Sequence, residues 1–554
     1  MRSLMRPACL FVLIALWAAS PASPLRAQDA ASGAVSGVAQ TPAGVVAGAF
    51  EGALADQVAG DPVLDAVYGM RRFVPIFTGP EDGPRRRALL RAIAEADAHG
   101  LPAARYGLAG LRAALLEAAT ETARARAEVA LARALLAYGG DLAAGALDPR
   151  EIARGMVREV RRPDPNALLA DFAAAPDPAA WIAGLAPQTD EYARLLRARA
   201  ELSARVAAPG APEPLRVAGA LRPGAAGPEV RALRDRLAAI GHGVELGPDS
   251  DPSLYDGALQ AAVAAFQTQS GLNPDAVVGQ RTVAALNLGD AERLAAVTVA
   301  LERERWLNFD RGARHIWVNL ADFSAKVIDA GEITFETETV VGAVLREKQT
   351  PEFSDLMRYL EVNPDWTVPP GVVRRDYLPT LQEDPTALAH LMLVDADGQP
   401  VAREAVDFRA YTARTFPYML RQPPGDTNAL GLVKFMFPNR HAIYLHDTPE
   451  KHLFARDSRT YSSGCVRLQD PFGLAHVLLA RQSATPEADF RRALDSGRQV
   501  RINLKEPVPI HIDYRTAFFG ADGVLRFRPD VYGRDRLVHE ALLDAGLASR
   551  GVDG

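Results

Sequence analysis

Residues 444–449 read YLHDTP and residues 461–468 read YSSGCVRL, and these two stretches contain the most informative chemistry of the chain. In the second stretch Cys465 directly follows Gly464, and glycine permits backbone conformations that other residues resist. A sharp turn at Gly464 is predicted to expose the Cys465 sulfur and to aim the amides of Gly464 and Cys465 at one point. Converging backbone amides can form an oxyanion hole. The pattern therefore indicates a cysteine nucleophile.

Such a nucleophile has to be activated. A thiol with a pKa of about 8.5 is only slightly ionised at neutral pH, so it needs a base or a positive neighbour. His446 ends a predicted strand, and Arg467 lies two residues beyond the cysteine. An alternative is that His441, His446 and His452 are metal ligands. Their spacing fits no common zinc pattern, and Cys465 would be an unusual fourth ligand. No metal site is therefore predicted.

The first residues have the three-part pattern of a secretory signal peptide. Arg2 and Arg6 precede an apolar run over residues 8–19, and residues 25–27 form a cleavage site, which predicts a signal peptide over residues 1–27. The apolar run is shorter than the ~20 residues of a membrane-spanning helix. We expect a periplasmic protein with no stable membrane span after cleavage. An uncleaved signal would instead anchor the protein in the inner membrane.

Cysteine usage becomes informative once export is expected. The chain has two cysteines, Cys9 and Cys465, and Cys9 would be lost with the signal peptide. Exported proteins meet an oxidising compartment, in which thiols are normally paired. A lone thiol there is buried and inert, linked to another molecule, or reactive.

The composition is that of an ordinary globular protein. The 554 residues are 48% hydrophobic and 23% charged, and this length predicts three or four domains. The net charge is −6 and the pI is near 6.0. A nucleic-acid-binding protein would usually have a basic surface, so no nucleic-acid partner is expected.

The N-terminal part of the mature chain is predicted to be helical. Residues 28–60 are rich in Ala, Gly, Ser and Val and are interpreted as a flexible leader. Residues 61–210 are rich in Ala, Leu and Arg, and Leu131, Leu135 and Tyr138 follow helical spacing on one face. Because no constellation of polar residues there suggests chemistry, we interpret this region as a helical scaffold domain.

Residues 219–288 predict a module of three short helices, the first with Val230, Leu233 and Leu237 on one face. The motifs GxxGPEVxxL, AVxxFQxxxGL and VGxxTVxxLN occur there in this order. They resemble the peptidoglycan-binding-like domain family over nearly the whole module. Ala276 stands where that family usually has a glycine. The resemblance implies either glycan binding or a purely structural role.

From residue 312 the sequence becomes rich in strand-forming residues. Strands are predicted at residues 315–320, 326–328, 337–342, 435–437 and 442–445. This mainly β domain, residues 312–505, is interrupted at about 371–415 by charged sequence that is helix-like over 380–393. The insertion is interpreted as a cap over the substrate or as an inert excursion. Residues 506–554 are interpreted as a C-terminal extension.

Together the YLHDTP and YSSGCVRL stretches resemble the signature of the YkuD-type L,D-transpeptidase catalytic domain. Ser463 stands where many members have histidine, and this form resembles the long periplasmic branch of the family. That branch also resembles the chain at ERWL (304–307), NPDW (363–366), VP (368–369), QPPG (422–425), NALG (428–431) and FPN (437–439). The likeness covers most of residues 60–535. It implies a multidomain α+β protein with a helical scaffold, a three-helix peptidoglycan-binding-like module and a mainly β catalytic domain with an inserted cap.

The family pattern implies roles for the residues of the two stretches. Cys465 would be the nucleophile, and His446 would accept and then donate the proton. The carbonyl of Asp447 would hold the imidazole in one tautomer. Tyr444 and the amides of Gly464 and Cys465 would stabilise the oxyanion.

The remaining site residues are predicted on weaker signals. Arg467 would support the catalytic loop or bind the carboxylate of the substrate. The predicted substrate-binding residues are Ser463, Trp366, Lys434, Arg421 and Phe435. For Trp366 and Phe435 a position in the hydrophobic core is an equal alternative.

The resemblance also implies a reaction in two halves, without a metal or an organic cofactor. Cys465 attacks the carbonyl of the third, L-centred residue of a tetrapeptide stem of peptidoglycan, D-Ala leaves, and a thioester forms. The side-chain amine of diaminopimelate on a second stem then gives a 3→3 cross-link. β-Lactams of the carbapenem type are the expected inhibitors. With water as acceptor the enzyme would be an L,D-carboxypeptidase, and with a lipoprotein lysine an anchoring transpeptidase.

Two further alternatives belong to other classes. One is a structural protein that binds peptidoglycan without catalysis, which the Cys465 turn disfavours. The other is a papain-like protease, in which the cysteine comes early in the domain and the histidine well downstream. Here the order is reversed, because His446 precedes Cys465.

Overall fold

The computed structural model describes residues 48–210, 213–247 and 250–547. The predicted signal peptide and the first part of the predicted leader, up to residue 47, lie outside the described residues. Among the residues described, no helix is both long and apolar enough to span a bilayer. The predicted fold class is confirmed: a helical N-terminal region is followed by a small helical module and a mainly β domain.

The N-terminal region consists of helices whose first turns are fixed by side-chain caps. Asp61, Asp164 and Thr189 each accept a hydrogen bond from a backbone N–H at the start of the helix that follows. The predicted apolar face is buried, since Leu131, Leu135 and Tyr138 are at most 2% exposed. The helices are α1 (Ala49–Val58), α2 (Pro62–Met70), α3 (Gly83–Ala94), α4 (Leu108–Leu116), α5 (Glu121–Ala144), α6 (Pro149–Ile152), α7 (Pro165–Ala174), α8 (Pro178–Leu185) and α9 (Asp190–Ala207).

The predicted flexible leader covers residues 28–60, and helix α1 corrects this prediction for residues 49–58, which lie in the described part of the chain. Phe50, Leu54 and Val58 are buried in the core of the helical region. Their spacing of four residues puts them on one helix face, and the guanidinium of Arg124 lies 3.9 Å from the Phe50 ring centre. The alanine- and glycine-rich composition of the segment hid this short apolar stripe.

The small module contains α10 (Pro228–Ala239), α11 (Gly257–Gln269) and α12 (Gln280–Leu286), which share one apolar core. Ala276 has φ of 57°, the left-handed conformation that favours glycine. Its N–H donates to Gln267 Oε1 at 2.8 Å, and its carbonyl accepts from the Tyr255 hydroxyl at 2.7 Å. These two bonds hold an alanine in the loop conformation that a glycine would adopt more easily.

Helix α13 (Asp290–Trp306) leads into the mainly β domain. The chain then forms β1 (Arg314–Asn319), β2 (Ser324–Asp329), β3 (Glu332–Gly342), β4 (Phe353–Val362), β5 (Trp366–Thr367), β6 (Met392–Val394), β7 (Met419–Gln422), β8 (Val433–Met436), β9 (Leu445–His446), β10 (Thr460–Ser462), β11 (Val466–Leu468) and β12 (Val500–Asp513). The helices of this part are α14 (Pro370–Val372), α15 (Leu378–Glu383), α16 (Pro471–Leu479) and α17 (Pro486–Asp495).

The main sheet has the strand order β10-β3-β11-β9-β8-β4-β12-β1-β2, and an additional β2–β3 pairing closes it on itself. Side chains from these strands, from α16 and from α17 form one apolar cluster. Closure leaves no free edge between β2 and β3. Strands β9 and β11 pair in parallel within this sheet, so the two stretches that carry the chemistry lie side by side.

The segment predicted as an insertion at about 371–415 belongs to a folded unit over residues 366–422, which is called the cap below after its predicted role. Strands β5, β7 and β6 make a small separate sheet in that order, and an apolar cluster of its own lies beneath it. The helix-like character expected over 380–393 is only partly present, because α15 ends at Glu383 and strand β6 begins at Met392. The predicted insertion is thus a small folded unit rather than a helical excursion.

The predicted domain end at residue 505 falls inside β12, so this boundary has to be moved further along the chain. Beyond a bulge, Val508 to Ile512 pair with β4, and Ile510 to Asp513 pair with β1. The main sheet therefore extends to Asp513. The segment that follows forms β13 (Ala517–Phe519), β14 (Leu525–Phe527) and α18 (Arg534–Asp544).

Candidate active site

Strand register places the key side chains on one face of the sheet. On the parallel strands β9 and β11, His446 is paired with Arg467, and on the antiparallel neighbour β8 it is paired with Lys434. Because successive side chains of a strand alternate in direction, Tyr444 and Cys465 share the face of His446 and Arg467. Tyr444 and His446 have their ring centres 5.6 Å apart. Sulfur, imidazole and phenol thus lie on one face of the sheet.

The same register corrects the prediction that Phe435 binds substrate and agrees with the alternative, a position in the hydrophobic core. Phe435 pairs with Leu445, which pairs with Val466, and all three are fully buried in the core of the domain. This row occupies the face opposite to the catalytic residues. Lys434, the neighbour of Phe435, faces the site instead. Alternation along a four-residue strand could not be assigned a direction from sequence.

His446 is 4% exposed, and its Nδ1 lies 2.5 Å from the carbonyl oxygen of Asp447. Burial, assisted by Arg467 and Lys434, lowers the pKa of His446 to about 3, and the hydrogen bond to the Asp447 carbonyl acts in the opposite direction. The imidazole is therefore neutral at neutral pH. The Asp447 carboxylate does not contact the imidazole: it accepts from the Leu432 amide at 2.9 Å and forms an ion pair with Lys451.

Cys465 is partly exposed, and its thiol lies 3.7 Å from the carbonyl oxygen of Ala442, to which it can donate. Burial raises the pKa of Cys465, while the backbone and hydroxyl of Tyr444 and then Arg467 act in the opposite direction. Burial likewise raises the pKa of Tyr444 well above its ordinary value, and the Cys465 thiol adds to this. The site therefore holds a neutral thiol beside a neutral phenol.

The turn at Gly464 has φ of 127°, a conformation that requires glycine. Its N–H donates to Ser462 Oγ at 3.0 Å, and that hydroxyl donates to the Cys465 carbonyl at 2.6 Å. This corrects the prediction that both amides face the oxyanion, because the Gly464 amide is already used. Among the described residues, the Cys465 amide has no acceptor. One backbone donor therefore remains.

A cleft of 480 Å³ lies beside Tyr444 and is lined by Trp366, Lys434 and Arg421 among others. Both cations have carboxylate partners: Lys434 Nζ lies 2.6 Å from Glu361 Oε2, and Arg421 Nε lies 2.5 Å from an oxygen of Asp365. Both cations of the cleft are thus neutralised by carboxylates, and Trp366 forms an aromatic wall beside them.

Two other predicted residues lie at the rim. Ser463 is exposed, and Arg467 Nη1 pairs with Glu450 Oε2 at 2.6 Å. The two roles predicted for Arg467, support of the catalytic loop and binding of a substrate carboxylate, stay predictions. In the described ranges, no group of three or more His, Cys, Asp or Glu side chains is arranged to hold a metal ion.

Sequence reasoning missed two polar residues of the site. Ser462 could have been found, because a serine two positions before a turn glycine often bonds to nearby backbone. Glu361 gave no local signal, because its pairing with Lys434 depends on the register of β4 and β8.

The geometry defines a mainly β domain that presents a lone cysteine, a buried histidine and a tyrosine on one sheet face. Residues 313–502 match the L,D-transpeptidase catalytic domain family, YkuD. Residues 226–286 match a peptidoglycan binding domain, and residues 62–198 match a scaffold domain. The chain thus contains a YkuD-type L,D-transpeptidase catalytic domain together with a peptidoglycan-binding domain, as the sequence motifs predicted.

One similar protein sequence agrees with this assignment. A protein of Haemophilus influenzae named as an L,D-transpeptidase is 31% identical over 237 residues, which is 42% of this chain and 47% of that protein. The chain therefore spans about half the length of that relative. A solved L,D-transpeptidase from Xylanimonas cellulosilytica is 17% identical with a TM-score of 0.16, covering 54% of this chain and 98% of its own. A second solved protein, from Clostridium acetobutylicum, is described as a fused Zn-dependent amidase, peptidase and peptidoglycan-binding domain-containing protein. It is 12% identical with a TM-score of 0.14, and the match covers 53% of this chain and 98% of that protein. Scores this low establish no shared fold.

Proposed function

We propose that this protein is an L,D-transpeptidase that forms 3→3 cross-links in peptidoglycan through a thioester on Cys465. The observation that carries the proposal is the single sheet face shared by Cys465, His446 and Tyr444, with His446 held by the Asp447 carbonyl. Nucleophile, base and base-orienting group are the parts that an activated cysteine requires.

The first half-reaction starts from neutral partners. Nδ1 of His446 is committed to the Asp447 carbonyl, which leaves Nε2 to take the thiol proton as sulfur attacks the carbonyl carbon of the third stem residue. The tetrahedral oxyanion is stabilised by the Cys465 amide and the Tyr444 hydroxyl. The C–N bond to the terminal D-Ala then breaks, and His446 gives the proton to the leaving amine.

The second half-reaction reverses these steps. The side-chain amine of diaminopimelate on an acceptor stem attacks the thioester carbon, His446 removes its proton, and the Cys465 thiol is regenerated. An amide between two stems is the product. No redox change occurs, so the residues of the chain suffice for the proton balance.

The cleft beside Tyr444 is proposed to hold the donor stem. Lys434 and Arg421 are paired in the resting protein, and stem carboxylates would compete with Glu361 and Asp365 for them. Trp366 supplies an apolar wall for the peptide. These assignments rest on the residues that line the cleft.

The other regions are proposed to serve the same substrate. The module at residues 219–288 would bind the wall, the helical region at 61–210 would be a scaffold, and the catalytic domain would extend from 312 to Asp513. Action on peptidoglycan requires export, which agrees with the predicted signal peptide and a periplasmic location. Carbapenems would inhibit by acylating Cys465.

The decisive experiment is muropeptide analysis after incubating the purified protein with tetrapeptide-containing peptidoglycan. We expect dimers linked 3→3 and released D-Ala, both absent with Cys465→Ser. Tripeptides without dimers would identify a carboxypeptidase. Modification of a lipoprotein lysine without dimers would identify an anchoring enzyme. A wild-type protein that binds the wall but changes no muropeptide would overturn catalysis and favour a structural wall-binding protein.

A further inference from the structure

Residues 348–350 run unusually close to the catalytic turn. They pack against Gly342 at the end of β3, where a Cβ would collide with the carbonyl oxygen of Lys348 and lie 2.6 Å from the amide nitrogen of Thr350. Only glycine therefore allows this approach. The catalytic turn also lies beside this segment, since Lys348 O is 3.8 Å from the position of a Cβ on Gly464.

The hydroxyl of Thr350 connects the two glycines. Thr350 is fully buried, its Oγ1 accepts from the Gly342 amide at 2.9 Å, and it lies 2.7 Å from the Gly464 carbonyl oxygen. An amide can only donate and a carbonyl can only accept, so the single hydroxyl proton must point to Gly464. The direction of this bond is therefore fixed.

This bond orients the peptide between Gly464 and Cys465. In a planar trans peptide the carbonyl and the N–H of the next residue point in opposite directions. Holding the Gly464 carbonyl toward Thr350 therefore turns the Cys465 amide away from the interior, toward the face that carries Tyr444. That amide is the backbone donor left for the oxyanion.

Residues outside the 313–502 match hold Thr350 in turn. Arg534, 1% exposed, donates to the Thr350 carbonyl at 2.8 Å and to Glu352 Oε1 at 2.9 Å. Arg303 of α13 donates to the other oxygen of Glu352 at 2.6 Å. Breaking a buried ion pair on one side leaves an uncompensated charge, so this cluster resists displacement.

We propose that Thr350 is a positioning residue that aims the Cys465 amide at the oxyanion, and that Arg534 keeps Thr350 in place. The proposal rests on the proposed function, because it concerns acyl transfer at Cys465. It assigns a role in catalysis to the segment after β12.

The test compares two electrophiles on the same sulfur. A carbapenem reacts through an oxyanion, whereas iodoacetamide reacts by displacement at carbon and forms none. With Thr350→Val we expect carbapenem acylation to slow by about 10²–10³-fold, the usual effect of losing an oxyanion donor, with iodoacetamide labelling changed less than about threefold. Thr350→Ser, which restores the hydroxyl, should recover most of the acylation rate. Equal slowing of both reagents, or unchanged acylation, would overturn the positioning role.

Arg534→Gln is the second variant and decides the test if Thr350→Val melts far below the wild type. It should slow acylation by about tenfold, a partial loss of the same donor geometry, again without a matching effect on iodoacetamide labelling. Unchanged acylation in folded Arg534→Gln would overturn the role of Arg534. Wild-type protein that iodoacetamide labels but a carbapenem does not would overturn the proposed function itself, and with it this inference.

Discussion

The two walls of the candidate site are built differently. One wall is the closed main sheet, in which β9 and β11 present His446 and Cys465 over a fully buried row of apolar side chains. The other is the cap, whose strands of two to four residues cover a separate apolar cluster. The first wall keeps reacting atoms in place through the core of the domain. The second has an apolar core of its own, so we expect changes in it to disturb the chemistry less.

The largest effect should come from the sheet wall. In His446→Ala the proton acceptor is lost, and acylation of Cys465 by a carbapenem should fall by about 10²–10⁴-fold. Intact-mass kinetics would measure the rate, and thermal melting would check folding. Lys451→Met is the control, because it removes a cation that bonds to the Asp447 carboxylate and to the carbonyls of Leu468 and Gln469 but leaves the imidazole in place. Wild-type acylation in a folded His446→Ala protein would exclude His446 from the mechanism.

The next effect is a pH dependence of the thiol. Because burial raises the pKa of Cys465, the thiolate fraction stays small over pH 6–8.5, and iodoacetamide labelling should rise about tenfold per pH unit throughout. In urea the pKa returns to about 8.5, so the curve should level off near that pH. A labelling rate independent of pH above about 5 would indicate a thiolate–imidazolium pair instead and contradict the neutral resting state.

A smaller effect is expected from removing the cap. The Val368 amide donates to the Leu420 carbonyl at 2.8 Å, so residues 369–419 can be replaced by a two-residue Asn-Gly turn. We expect cross-linking of polymeric peptidoglycan to fall on the order of tenfold through lost substrate orientation, with carbapenem acylation within about threefold. An equal loss with both substrates would show that the two walls are not separable.

The smallest effect concerns the contact between the walls. Lys348 Nζ pairs with Asp376 of the cap at 3.2 Å, and both side chains are about a quarter exposed. Lys348→Met should destabilise the cap by about 0.2–1 kcal/mol, seen as faster hydrogen exchange in the cap alone. Lys326→Met, which removes the Lys326–Glu336 pair inside the sheet, should leave cap exchange unchanged. Slower exchange in Lys348→Met would contradict an attraction across the walls.

Local sequence was sufficient where a structure depends on neighbours along the chain. Alternating β-forming residues predicted β1, β2 and much of β3, and the Gly464–Cys465 pair indicated a turn with positive φ. For a short strand, local sequence does not show which side chains point to which face of the sheet, because the neighbouring strands decide this. Phe435 and Lys434 are adjacent, and only register with β9 shows which of them faces the site.

Long-range contacts explain the other differences. The Gly464 amide donates to Ser462 Oγ and is therefore not free for the oxyanion, which no sequence motif shows. Thr350 lies 114 residues before Gly464, whose carbonyl it orients. The end of the domain was placed too early because the bulge after Asn503 interrupts the alternation of β12. Helix α1 was missed because three apolar residues in an alanine-rich segment carry little periodic signal.

The extent of β12 has a consequence for the order of events during folding. Strand β1 pairs in parallel with residues 510–513, so neither the ring of strands nor its interior can be completed until that distant segment is available. Strands that are far apart in sequence pair slowly, because the chain loses conformational entropy in closing the loop before any stabilising contact forms. Arg534 arrives later still. The contacts that the proposal assigns to Thr350 and Arg534 can therefore form only after the segments on both sides of Cys465 have joined the fold.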